Sequence, residues 1–322
     1  TTAAIEQNLD SLQRLGLKLK SISQTDADTA LKVSASQYKN DAIAIGKILT
    51  PYHLDVMRAA ASQVSALAAD AKVQSVSVSD TAANIARRWS LLDRLGDSLS
   101  AVEVTDGNNA ISLTADQAAV GDKLLAKFTV DSTHTYNLAV KDARAGQAAE
   151  IAALGHVASV SISDSAANVA AGLASLQTLN GQGLLKSVNL TGKLLNLSLD
   201  AAQMLGDAAA STQGVLDKIA NLNYGVAVAG ATTDTLDALA AKTRIVSIAL
   251  GATSDQIGAN LDKLGQLGGR LSRIVQSDSG AVISLTQTAF DRRAGVLAKI
   301  QGGYLVSISG ATAEQAQADA SN

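Results

Sequence analysis

The stretch SVSVSDTAANIARRWSLLD (75–93) returns 84 residues later as SVSISDSAANVAAGLASLQ (159–177), and this repetition decides how the rest of the chain is read. Each copy opens with serine alternating with valine or isoleucine, the two-residue period of a strand with one apolar face. Each then passes through Asp-Thr or Asp-Ser into an amphipathic helix. The helical stripe opens at Ile5, Ile85, Val169 and Ile257, at intervals of 80, 84 and 88 residues. It continues at Leu9, Leu12 and Leu15; at Trp89, Leu92 and Leu95; at Leu173, Leu176 and Leu179; and at Leu261, Leu264 and Leu267. Burying each such side chain contributes about 1.5–3 kcal/mol before entropy is subtracted.

The flanking elements recur with the helix. Alternating runs at 73–80, 157–164 and 245–252 precede it. Two more follow it in AVEVTDGNNAISLT (101–114), SVNLTGKLLNLSL (187–199) and RIVQSDSGAVISLT (273–286), where Asp-Gly, Thr-Gly and Asp-Ser-Gly predict β-hairpins. A second helix is expected to end near Lys47, Lys127, Lys218 and Lys299. A fourth strand then begins with Tyr52, Tyr136, Tyr224 or Tyr304, and a third, shorter helix leads to the next copy. Ser34 with Gln37, Thr114 with Gln117, Thr253 with Gln256 and Thr312 with Gln315 have capping-box spacing.

One unit is therefore strand, helix, strand, strand, helix, strand, helix, about 84 residues long, and the chain holds four: 1–72, which lacks its first strand, 73–156, 157–244 and 245–322. Alternation leaves one face of each sheet open. The expected fold is an α/β solenoid in which strands of successive units run side by side in one extended sheet with helices behind it. A string of ferredoxin-like sandwiches is the alternative. Thr1 aligns with Thr81, and a first strand after Tyr304 would begin beyond Asn322, which suggests either a piece of a longer array or subunits that join end to end.

Composition narrows the function. The net charge is −3 with both signs interspersed, so nucleic acid is not an expected partner. No apolar run is long enough to span a membrane, so membrane insertion is not expected, and the first residues lack the features of a signal peptide. Cysteine is absent, which removes disulfides and thiol chemistry. His53, His134 and His156 have no metal spacing. No nucleophile, phosphate-loop or dinucleotide motif stands out, and GQLGGR (265–270) reads as a helix end. The chain is read as a non-enzyme without a cofactor. Calcium is a weak option at Asp26 with Asp28, or Asp106 with Asn108 and Asn109, which turn chemistry also explains. Asp80 and Asp164 are expected to be helix N-caps, and Trp89 a core residue.

Two sets of residues are candidate interaction positions. The first is the small side chains of the open sheet face, Ser75, Ser77, Ser159, Ser161, Ser247 and Ala249, across which another chain can approach closely. The second is Tyr52, Tyr136, Tyr224 and Tyr304, either an aromatic ladder for glycan or partner contacts or anchors of each unit's core.

The runs SVSVSDTAANIA, AISLTADQAA and YNLAVKDA resemble the Ala/Ser/Asp-rich tandem repeats of very large, adhesin-like surface and secreted proteins of Gram-negative bacteria, often exported by type I systems. That resemblance implies an extracellular or cell-surface location and a structural or adhesive role, such as a stalk, biofilm-matrix filament or adhesin segment. Self-association, end to end or lateral, is the expected partnership. The alternative is a surface module that recognises a glycan or a host or cell partner.

Overall fold

The computed structural model describes residues 1–26, 29–131, 135–207 and 214–319. Its contacts divide it into two compact units, Thr1–Ala143 with Ala149–Ser161, and Arg144–Ala148 with Ile162–Asn322. Both are α/β.

In the first unit β1 (Leu31–Ser34), β2 (Leu54–Ala59), β3 (Val73–Asp80) and β4 (Leu99–Val104) form one sheet in that order, every neighbour parallel. A second sheet starts with β5 (Ala110–Thr114), which pairs in parallel with β6 (Asn137–Ala143), and the opening part of β7 (Val157–Ser165) follows. In the second unit β8 (Leu185–Thr191) follows the closing part of β7. Then β9 (Asn196–Asp200), β10 (Gly225–Ala231), β11 (Ile245–Ala252), β12 (Leu271–Gln276) and the later β14 (Ile300–Gln301) make a parallel five-stranded sheet in that order. Between β12 and β14 lies β13 (Val282–Thr286), which pairs in parallel with β15 (Leu305–Ser309). Helical segments join most successive strands, the connection that parallel pairing requires.

Three sequence expectations are corrected here. The turns between β4 and β5, β8 and β9, and β12 and β13 close no hairpin, because the two strands in each case belong to different sheets. The run after each turn instead pairs in parallel with a later strand, so the turn is a corner. A ferredoxin-like sandwich, built on antiparallel pairs, does not form from these strands. Among the described residues the strands also divide among several sheets and do not pair into one extended sheet.

The pairing scheme recurs with the sequence. β2, β6 and β10 each lie between the strand before and the strand after them. Ile22 bridges Ile48, Val102 bridges Phe128, Val188 bridges Ile219, and Ile274 pairs with Ile300, so in all four copies a short segment beyond the second helix returns beside the second strand. Inward side chains of these strands, such as Val76, Val78, Ile111 and Leu113, are buried, as are Leu9 and Trp89 from the first helices of the first unit and Leu173 and Leu261 from those of the second.

Those first helices, Thr2–Leu15 and Ala82–Arg94, are continuous, whereas the later two break at Gly172 and Asn260. The second helix breaks in every fully described copy, seven residues after its cap: at Asp41, Gly121 and Arg293. Capping boxes close at Ser34, Thr114 and Thr253 as the spacing predicts, and also at Asp200 with Gln203. Thr312 and Gln315 exchange the same two bonds. Among the described residues no helix is long and apolar enough to cross a membrane.

Candidate interaction surface

Three of the four tyrosines are interior. Tyr52, Tyr136 and Tyr224 are buried and Tyr304 is half-buried, so the first three do not present an exposed aromatic ladder. The reason is a residue 20 positions further on that closes over each ring. The Lys72 ammonium lies 4.7 Å from the Tyr52 ring centre, the His156 ring 4.3 Å from that of Tyr136, and the Arg244 guanidinium 4.8 Å from that of Tyr224. The backbone repeats the relationship: the Leu54, Leu138 and Val226 amides donate to the carbonyls of Lys72, His156 and Arg244. Inside the core the Tyr52 hydroxyl donates to the Ile45 carbonyl (3.2 Å) and the Tyr224 hydroxyl to the Leu216 carbonyl (2.9 Å). Burial raises the pKa of Tyr136 and Tyr224.

The serine face is partly used within the chain. Ser75, Ser77, Ser159, Ser161, Ser247 and Ala249 are all half-buried. The Ser75 hydroxyl donates to Asp55 Oδ1 (2.7 Å), and Ser77 Oγ accepts the Arg58 amide (3.0 Å). That amide belongs to a β-bulge that sequence reading missed. Six residues after each tyrosine the chain takes a positive φ: Arg58 at 57°, Asp142 at 55°, Gly230 at 64° and Gly310 at 75°. The register of β2 on β3 and of β10 on β11 shifts at this point. A glycine in only two of the four copies is too weak a signal to announce it.

The aspartates at the first-strand ends act differently from expectation. The N-caps are Thr81 and Ser165, whose side chains accept from Asn84 and Asn168 amides. Asp80 is a clamp: its Oδ2 accepts the Ala61 amide (2.8 Å), and its Oδ1 accepts the Thr81 amide (2.8 Å) and Asn84 Nδ2 (2.6 Å). Asp164 repeats this on Ala145, Ser165 and Asn168. Burial opposes ionisation of both carboxyls, but the side-chain and backbone hydrogen bonds outweigh it and lower both pKa values.

The loop acids suggested for calcium also have structural partners. Asp26, Asp106 and Asp278 each accept the first backbone amide of a preceding helix, from Thr2 (2.6 Å), Ala82 (2.6 Å) and Ser254 (2.8 Å). Asp106 Oδ2 also accepts from Asn109 Nδ2 (3.0 Å). Asp28 and His134 lie outside the described residues. Among the described residues no group of three or more His, Asp or Glu side chains is placed to hold a metal ion. His53 is exposed, and the His156 ring packs on that of Tyr136. GQLGGR does end a helix, with Gly268 at φ 54° in the following turn.

Comparison of the chain with family models, curated proteins and solved structures gives no match.

Proposed function

We propose that this chain is a structural segment of an extracellular bacterial repeat array, a solenoid of ~84-residue α/β units that serves as a stalk, matrix filament or adhesin segment and performs no catalysis. The observation that supports this reading is recurrence: the return of the chain beside each second strand, at Ile22–Ile48, Val102–Phe128, Val188–Ile219 and Ile274–Ile300, is the same event in all four copies. A unit whose neighbours complete its sheet gains stability by repetition and needs no other ligand. Its polar residues are spent on helix starts, bulges and corners, as Asp80, Asp106 and Ser77 illustrate.

Self-association is proposed to run from unit to unit along the array. The serine strip is the weaker candidate for lateral contact, because Ser75 and Ser77 already serve partners in the preceding copy of the same chain. Negative-stain electron microscopy and light scattering across a concentration series test the reading. Short rods or filaments with a regular axial repeat, formed without added ligand, are expected; compact globular particles at every concentration would overturn it. Lysine at Ser159 and Ser161 together is expected to leave any assembly intact, and loss of assembly with the fold retained would reassign the contact to the serine face.

A further inference from the structure

We propose that the outer edge of β15 is a slot for one parallel strand, and that its occupant is the first strand, with its leading residue and following helix, of a further repeat of this same kind. The inference rests on the array reading and identifies what an open repeat accepts. Its basis is a comparison of four equivalent strands in one chain. β2, β6 and β10 are each followed in the sheet by a first strand: β3, β7 or β11. β15 has β13 on one side and no strand on the other among the described residues.

The exposed side chains match what that strand covers elsewhere. Leu54, Leu138 and Val226 are inaccessible, whereas Val306, at the same position, is half-buried. Val56, Val140 and Val228 are buried, whereas Ile308 is half-buried. Tyr304 is half-buried where the other three tyrosines are closed over by Lys72, His156 or Arg244. One strand with its leading residue supplies all three missing contacts at once.

The first copy carries the matching second half of such a slot. β4, β8 and β12 each lie beside a first strand, and their Leu99 and Val102, Leu185 and Val188, and Leu271 and Ile274 are buried. Leu19 and Ile22 hold the equivalent places and are half-buried. With Ile5, Leu12 and Leu15 they line an open groove of about 590 Å³. Leu92, Leu176 and Leu264, the counterparts of Leu12, are buried. The chemistry of the occupant follows from β3, β7 and β11: valine, isoleucine or leucine at alternate inward positions, mostly small residues between them, and a Lys, His or Arg just before.

The test uses the 322-residue chain with a synthetic peptide of residues 155–182, which carries His156, β7 and the following helix. Backbone hydrogen exchange read by mass spectrometry is expected to slow at least about tenfold at 305–309 and at 19–22 as peptide is added. A peptide with Val160→Asp and Ile162→Asp is expected to leave both segments unchanged. The same residues fused after Asn322, which sets His156 20 positions beyond Tyr304, are expected to protect 305–309 and raise the melting temperature. The proposal is overturned if neither free nor fused residues 155–182 protect 305–309, or if the substituted peptide protects equally. Protection by the chain alone, rising with its concentration, would also overturn it in favour of a second copy as occupant. Rods seen by microscopy with no protection would sink this inference alone, whereas compact particles would sink the array reading and this inference with it.

Discussion

Gly121 sits against the indole of Trp89 so closely that a Cβ on the glycine would lie 2.7 Å from Trp89 Cζ2. The pair occupies a position filled by Leu9 and Asp41 in the first copy and by Leu261 and Arg293 in the fourth, so a larger core residue is matched by a smaller kink residue. The backbone at Gly121 has φ −86° and ψ 8°, which alanine tolerates, so the requirement for glycine is steric. Gly121→Ala is expected to destabilise the chain by about 1–3 kcal/mol through overpacking. Adding Trp89→Leu, the residue of the other copies, should recover at least half of that loss, with a coupling of about 0.5–3 kcal/mol. Denaturant melts of the two single variants and the double variant provide the measurement, and strict additivity would refute the steric account.

The kink in the first copy holds a like-charge pair where the fourth holds an ion pair. Asp262 accepts from Arg293 at 2.9 Å, whereas Asp10 faces Asp41. Burial, and then the hydrogen bond and charge of Asp10, push Asp41 up to about 6. The folded state therefore holds a proton that the unfolded chain releases near pH 4, so stability from this site falls as pH rises from about 4 to 6. Asp41→Asn is expected to flatten that part of the pH–stability curve and to stabilise the chain at pH 7 by about 1–3 kcal/mol. An unchanged slope between pH 4 and 6 would count against the pairing.

Asp80 and Asp164 carry the opposite sign. Their pKa values are lowered in the folded state, so their contribution is full above the unfolded value near 4 and is lost as pH falls through the folded value. Each carboxylate satisfies two backbone amides and one asparagine side chain, and the backbone amides would need new partners without it. Asp80→Ala or Asp164→Ala is expected to cost about 1.5–3 kcal/mol at pH 7 and much less at pH 2. Thermal melts at the two pH values decide this, and an equal loss at both would show that the charge is not involved.

The repeat, its length and most of its elements were legible because each is written several times: Ile85 and Val169, or Thr114 and Thr253, need no long-range information to be assigned. Strand pairing was not legible. Asp-Gly at 106–107 is a strong local hairpin signal, yet β4 and β5 part because each finds a parallel neighbour elsewhere, β4 in the earlier β3 and β5 in the later β6. Sequence gives a turn's chemistry, whereas the choice between hairpin and corner is tertiary. The tyrosine contacts failed for a related reason. Lys72, His156 and Arg244 share a position and a role but no chemical type beyond a basic nitrogen, so alignment alone hid the equivalence.

The bulge after each tyrosine offers a test of repeat equivalence that depends on backbone alone. Arg58, Asp142, Gly230 and Gly310 share a left-handed conformation, which costs a non-glycine residue about 1–2 kcal/mol. The first two copies tolerate that strain, and in the first the Arg58 amide gains Ser77 Oγ at 3.0 Å. Gly230→Ala is therefore expected to destabilise the chain by about 1 kcal/mol, although open space surrounds the new methyl group. Arg58→Gly should be nearly neutral, because relief of strain is offset by the greater freedom glycine gives the unfolded chain. The contrast between the two variants in chemical denaturation is the measurement. If Gly230→Ala proves neutral, the third copy does not require the bulge that the first and second display.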